Sequence, residues 1–316
     1  MAVAFDAVGP SSAGTAITGT NLSWSHTCSG SNRLLVVGIT VGRPLGDDGG
    51  VTTSVTYNSV LMTSLAKVHS NNQTGGFVEM FYLVAPATGS NTVSCTVSSS
   101  SQLTGGSVSF TEVDQTTPLA NAVTNFGDSA APSVTVTSAT GNMVVDAAAN
   151  GSTFSSSNQT LRWNQNFTAS SAASNGAQST ATGASSVSMG YSVTADWWGI
   201  IGASVQALIA ATPTVTTDSI TNISGTTATG NGTVASDGGA TITERGICWS
   251  TSLNPTTSDS TATAAGTTGS YSVNLTGLSN GTTYHARAYA INVNGTSYGA
   301  DVVFKVYNVS LSWLRA

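Results

Sequence analysis

Val187-Ser188-Met189-Gly190-Tyr191-Ser192-Val193 places an apolar residue at almost every second position, with small or polar residues between. Side chains on a strand alternate between its two faces, so a period of two sends one face inward and the other to water. Val134-Thr135-Val136-Thr137 repeats the pattern. Arg33-Leu34-Leu35-Val36-Val37-Gly38-Ile39-Thr40-Val41 and Phe77-Val78-Glu79-Met80-Phe81-Tyr82-Leu83-Val84 read as core strands. Their β-branched residues favour extended backbone. Turn clusters separate such runs: Gly46-Asp47-Asp48-Gly49-Gly50, Asn71-Asn72-Gln73-Thr74-Gly75-Gly76, Ser236-Asp237-Gly238-Gly239 and Asn280-Gly281. The strongest helical candidate, residues 200–211, is β-branched and follows the pair Trp197-Trp198, which fits a strand better. Many short strands without a helical period predict an all-β chain of sandwiches.

Composition narrows the function classes. Only 7% of the 316 residues are charged, and 47 Ser with 49 Thr bring 96 aliphatic hydroxyls. Ordinary soluble domains carry about 25% charged residues. Eight basic residues and a net charge of -6 leave no basic footprint for nucleic acid and no polybasic face for an anionic membrane. No apolar stretch reaches the roughly 18 residues of a membrane-spanning helix. At 40% hydrophobic content the chain can bury a core. The opening Met1-Ala2-Val3-Ala4-Phe5-Asp6 has no basic residue and no signal-like apolar run, so an unprocessed chain is expected, one that stays inside its producing cell or leaves it by another route such as lysis. Cys28, Cys95 and Cys248 are too few for a disulfide framework and are expected as buried thiols. Cys28 and Cys95 can pair if adjacent, which the sequence leaves open.

An apolar run ends at Ala210-Ala211, and a Thr-rich segment opens at Pro213. Three segments follow: a large jelly-roll-like β-sandwich over 1–211, a second sandwich over 212–305, and an amphipathic strand or tail over 306–316.

The second segment resembles a fibronectin type III-like module of bacterial surface and bacteriophage proteins. The resemblance rests on Thr243-Glu244-Arg245-Gly246-Ile247-Cys248-Trp249-Ser250, on Asn254-Pro255, and on Gly281-Thr282-Thr283-Tyr284-His285-Ala286-Arg287-Ala288-Tyr289-Ala290. Asn294-Gly295-Thr296-Ser297-Tyr298-Gly299 looks like its closing hairpin. It implies that Tyr284 is a corner tyrosine bonding back to the preceding loop. It also implies a spacer or display module without chemistry of its own. The first segment is similar to an uncharacterised β-rich domain of phage and bacterial surface proteins, through Leu22-Ser23-Trp24-Ser25-His26-Thr27-Cys28, Val55-Thr56-Tyr57-Asn58, Phe81-Tyr82-Leu83-Val84-Ala85-Pro86 and Val113-Asp114-Gln115.

Nothing in the sequence carries a catalytic signature. The histidines are His26, His69 and His285, and His26 shares a strand face with Cys28. No Gly-x-Ser-x-Gly elbow or phosphate-cradling glycine loop occurs, and the 14 acids are scattered. Asp47-Asp48 form a local acidic pair, but one loop cannot supply the six or more oxygens of a calcium site, so neither metal nor cofactor is expected. Trp197 and Trp198 must face opposite ways, one toward the core and one available to stack on a host glycan; Trp163 is expected in the core. Tyr307, Val309, Leu311 and Trp313 share one face of the tail. That face must be covered, by the chain's own domain or by another subunit.

The expectation is a noncatalytic bacteriophage virion protein, such as a capsid decoration, fibre or tail component. It would be homo-oligomeric, joined to other virion proteins on the virion surface, and able to meet host glycans. The alternative is a secreted adhesin or carbohydrate-binding protein of the bacterial cell surface.

Overall fold

The computed structural model describes residues 1–43, 50–70, 75–167 and 175–307. The chain divides into two compact units, Met1–Leu208 and Ile209–Ala316. The described residues form strands and turns without a helix, an all-β sandwich architecture.

In the first unit, β1 (Ala4–Gly9), β2 (Thr15–Cys28), β3 (Leu34–Gly42), β4 (Thr53–Tyr57), β5 (Val60–Leu61), β6 (Thr63–His69), β7 (Phe77–Val84) and β8 (Gly89–Thr111) make one antiparallel sheet. Its path runs β5-β4-β8-β3-β7-β6, with β1 and β2 also on β8. The 23-residue β8 pairs β4 through Val93–Val97 and β3 through Gln102–Phe110. Its ladder with β2 jumps from Asn21↔Thr96 to Gly19↔Ser101, so the serine run 98–101 is where β8 changes course. There follow β9 (Leu119–Ser129), β10 (Ser133–Val136), β11 (Met143–Asn150), β12 (Phe154–Ser157), β13 (Thr160–Gln165), β14 (Asn175–Thr182), β15 (Val187–Val193) and β16 (Asp196–Val205). They build a five-stranded sheet β13-β14-β11-β16-β9 and a three-stranded sheet β10-β15-β12. Three sheets thus replace the two of a simple jelly roll.

Two cores lie between these sheets, and another lies within the eight-stranded sheet itself. Leu35, Val37, Ile39 and Val41 on one face of β3 join Trp24, Tyr57, Phe77 and Leu103. The other face, Leu34 and Val36, packs with Met80, Val108, Phe110, Ala147 and Ile201. A third core joins Val144, Ala148, Trp198 and Ile200 to Val134, Met189, Tyr191 and Val193. All nine residues of β3 are buried. A strand covered on both faces has no solvent side to fill with polar residues, which is why 34–42 reads as a continuous apolar run instead of alternating.

Trp163, fully buried, keys the five-stranded sheet to the eight-stranded one. A Cβ on Gly106 would stand 2.6 Å from its indole; Cβ atoms on Gly38 and Gly176 would stand 3.3 and 3.1 Å away. The indole sits where three strands lack side chains, and its Nε1 donates to Gln178 Oε1 at 2.7 Å.

The second unit contains β17 (Thr214–Thr217), β18 (Thr221–Ser224), β19 (Thr227–Ser236), β20 (Glu244–Ser250), β21 (Ser260–Ala264), β22 (Gly269–Leu275), β23 (Thr283–Asn292), β24 (Gly295–Tyr298) and β25 (Val302–Lys305). In one sheet β19 carries β17 and β18 along one edge and β22 along the other. In the other, β20 lies between β21 and β23, and β24 and β25 share the far edge of β23. This pairing is that of a fibronectin type III-like sandwich. The backbone N–H of Ser279 donates to Tyr284 Oη at 3.1 Å, closing the expected tyrosine corner. Arg245, 6% exposed, lies over the Tyr271 ring and donates to the carbonyls of Ala265, Thr267, Thr268 and Gly269, fastening the β21–β22 turn.

Candidate functional site

The Trp197-Trp198 pair lies in β16, where alternation sends the two rings to opposite faces. Trp198 is buried in the third core and its Nε1 donates to Ser129 Oγ at 3.0 Å. Trp197 is 37% exposed. In the β16–β9 ladder it stands opposite Asp128, and Gly199 stands opposite Phe126, which is 39% exposed. Opposed residues share a face, so Trp197, Asp128 and Phe126 form an open aromatic shelf with one carboxylate.

His26 and Cys28 do share a buried face, but a polar chain closes around the imidazole. Trp24 Nε1 donates to Ser107 Oγ at 2.9 Å, and Ser107 Oγ lies 2.8 Å from His26 Nδ1. On the other side His26 Nε2 is 2.9 Å from Ser109 Oγ, which donates to Asp6 Oδ2 at 2.7 Å. The Ser109 proton points at Asp6, so His26 donates from Nε2 and accepts at Nδ1: a neutral imidazole with both nitrogens satisfied. Burial pushes its pKa down to about 4, outweighing the attraction of Asp6. Cys28, Cys95 and Cys248 are buried free thiols, so the 28–95 disulfide that the sequence left open does not form. Burial raises Cys95 to about 12 and Cys248 to about 11, far from a nucleophilic thiolate.

The sequence reading missed Asp146, a fully buried carboxylate in the middle of β11. Ser179 N and Tyr191 Oη each donate to Oδ1 at 2.7 Å; Ser179 Oγ at 2.7 Å and Gln159 Nε2 at 3.1 Å donate to Oδ2. Burial without a neighbouring cation outweighs these four donors and pushes its pKa up to about 7. The side-chain Oε1 of Gln159 accepts from Gly190 N at 3.1 Å, so the network reaches the floor of an open cleft of about 300 Å³. Ser133, Ser156, Asn158 and Ser192 line that cleft with hydroxyls and an amide.

In the second unit His285 Nδ1 lies 3.0 Å from Asp301 Oδ1, with both side chains only 14% exposed. A second groove, of about 630 Å³, opens between β18 and β25 and is largely apolar, with Ile220, Ile223, Val303, Phe304 and Tyr307 in its walls. Tyr307 is 60% exposed. The other tail residues singled out, Val309, Leu311 and Trp313, lie outside the described residues, as does the Asp47-Asp48 loop. Among the described residues no group of three or more His, Cys, Asp or Glu side chains is placed to hold a metal ion, and no helix is long and apolar enough to cross a membrane.

No family model matches the chain, and no curated protein matches it. Solved structures overlap with it in part. The sensor domain of the anti-sigma factor RsgI4 from Pseudobacteroides cellulosolvens is 19% identical, over 31% of this chain and 77% of that one, with a TM-score of 0.24. The sixth fibronectin type III domain of human fibronectin type III domain containing protein 3 is 26% identical, over 32% and 92%, at 0.25. The three domains FN1–FN3 of chicken CNTN1 are 11% identical, over 95% and 100%, at 0.25. Assignment of the second unit rests on its own strand pairing and tyrosine corner.

Proposed function

We propose that the chain is a noncatalytic structural or display protein of a bacteriophage virion surface, a capsid decoration, fibre or tail component that assembles with further copies and other virion proteins. The observation that supports this reading is how the chain uses its reactive groups. His26, Asp146 and the three thiols are buried fasteners. Lys67, Arg162, Arg245, Arg287 and Lys305 lie over the rings of Phe77, Phe5, Tyr271, Tyr298 and Tyr307. With these cations held on rings, hydroxyls and amides dominate a surface that also carries scattered acids such as Asp128, Asp218 and Asp259. To test the reading, particles released by the producing cell are banded by density and probed with antibody against residues 1–208. Co-banding of the chain with nucleic-acid-filled particles is expected. Recovery with the cell envelope alone would replace the reading with that of a bacterial surface adhesin.

The exposed Trp197–Phe126 shelf beside Asp128 favours glycan contact as a second reading, because an aromatic face stacks on the apolar face of a sugar while a carboxylate accepts from its hydroxyls. A glycan array probed with the full chain and with Trp197→Ala tests it. Binding to one glycan class that is lost in the variant is expected, and equal signals from both chains would remove the reading.

A further inference from the structure

Beside the indole of Trp197 stands a carboxylate that no other group of the chain uses. Trp197, Gly199 and Ile201 share the face of β16 that the eight-stranded sheet covers. The cover ends at Gly199, where a Cβ would stand 3.2 Å from Val68 Cγ1 of β6. Trp197 is the next position outward on that face and is 37% exposed. Asp128 of β9 stands directly opposite it, and Phe126 lies diagonally from it. Opposed residues of antiparallel strands have Cβ atoms about 5 Å apart, and diagonal ones stand about 7–8 Å apart. A sugar ring stacked on Trp197 therefore has the carboxylate at its rim and the Phe126 ring beside it.

What kind of sugar the shelf takes is set by charge. Asp128 is exposed, and among the described residues no hydrogen bond or ion pair engages its carboxylate. Asp218 and Asp259, also exposed, do have partners: they accept from Thr233 Oγ1 and from Thr256 N, each at 2.9 Å. Asp196 adds a second negative charge at the same end of β16, its Oδ1 accepting from Trp197 N at 2.8 Å. Among the described residues neither acid has a cationic partner. Lys67 and Arg162 lie over Phe77 and Phe5, and Arg33 donates to the carbonyls of Gly30 and Pro86. An ammonium is attracted both by the negative face of an indole and by a carboxylate at its edge, and an acidic sugar is repelled by both.

We propose that the shelf takes a glycan bearing free ammonium groups, with a sugar ring on Trp197 and its ammonium at Asp128. The proposal rests on the glycan reading of the shelf and names the class of sugar. Because Asp128 has no partner within the chain, its substitution removes no contact that holds the fold.

Calorimetric titration of the full chain with a chitosan oligosaccharide, its fully N-acetylated counterpart and an oligogalacturonate tests it, in mildly acid buffer that keeps the amines protonated. Chitosan is expected to bind, the N-acetylated sugar about two- to fivefold more weakly, and the uronate not at all. Asp128→Asn is expected to remove the preference and keep the weaker binding, and Trp197→Ala to weaken both sugars. Asp218→Asn removes the same charge in the second unit and is expected to bind as the wild type does. A chain that does not bind chitosan, binds both sugars equally, keeps its preference in Asp128→Asn or loses it in Asp218→Asn would overturn the ammonium assignment, while a hit on the glycan array that Trp197→Ala abolishes would keep the wider reading. Silence on the array as well would remove both.

Discussion

The two units satisfy their buried polar groups with different partners: side chains of other strands in the first, mostly backbone carbonyls in the second. In the first, His26 meets Ser109 across 83 residues of sequence, and Asp146 meets Tyr191 across 45. In the second, Arg245 reaches the Thr267 carbonyl across 22 residues, and the tyrosine corner spans 5. The difference follows from layering. Where β3 and β11 are covered on both faces, a buried polar group cannot reach water or a nearby loop and must find partners on other strands. Where a sandwich has one core, polar anchors can face the loops that border it. The first interior is therefore specified by side-chain pairs between strands, and the second largely by side chains bonded to backbone, with buried Asn292 reaching the carbonyls of Ala211 and Asp237.

Breaking the layering should have the largest effect. Trp163→Ala empties the glycine-lined nest between two sheets and should cost the first unit about 3–5 kcal/mol. Calorimetry of the full chain should show the first unit's transition falling steeply while the second unit's stays in place. A joint fall of both transitions would mean that the units are not independent.

Next come the two buried titrating groups, whose pH dependences oppose one another. The folded-state pKa of His26 is lowered from 6.5 to about 4. Its contribution is complete above pH 6.5 and is lost as pH falls toward 4, on the order of 3 kcal/mol. The folded-state pKa of Asp146 is raised from 3.8 to about 7. Its contribution is complete below pH 3.8 and is lost as pH rises toward 7. Urea titrations between pH 4 and 7 should show the wild type flatter than either single variant. In His26→Gln the first unit should become relatively more stable as pH falls, and in Asp146→Asn relatively less. Parallel slopes for the two variants would contradict the assigned protonation states.

The smallest effect belongs to the local anchor. Tyr284→Phe removes one hydrogen bond to Ser279 N and keeps the ring stacked on Phe304, so the second unit should lose about 1 kcal/mol. A loss as large as that of Trp163→Ala would erase the contrast between the units.

Local rules made much of the fold readable. Alternation in 187–193 marks β15 with Met189 and Tyr191 inward, and adjacency alone sends Trp197 and Trp198 to opposite faces. The turn and strand residues from Thr243 to Gly299 carried the second sandwich and its corner tyrosine. The stacking of three sheets was not readable, because its key is an indole against Gly38, Gly106 and Gly176, and an absent side chain signals nothing on its own. Asp146 was unreadable for a related reason. Its partners Gln159, Ser179 and Tyr191 sit on three separate strands or turns, and an acid inside Met143–Asn150 looks like a solvent-side residue until both faces are known to be covered. The groove in the second unit arises from two strands diverging, which no residue pattern announces.

In the first unit the earliest and latest residues clasp one another. Strand β1 lies on the end of β8, Met1 N donates to the carbonyl of Leu208 at 3.1 Å, and Val113 bridges Ala207. A ribosome emits these partners at opposite ends of one long interval. Until residue 208 has emerged, the apolar side of the eight-stranded sheet that faces β11 and β16 has no finished cover. Synthesis thus holds a long window in which this half of the chain needs shelter, whereas the second unit can close within about a hundred residues of its start. Joining the clasped ends by a short linker and opening the chain at the exposed residues Ala139 and Thr140 would move that window.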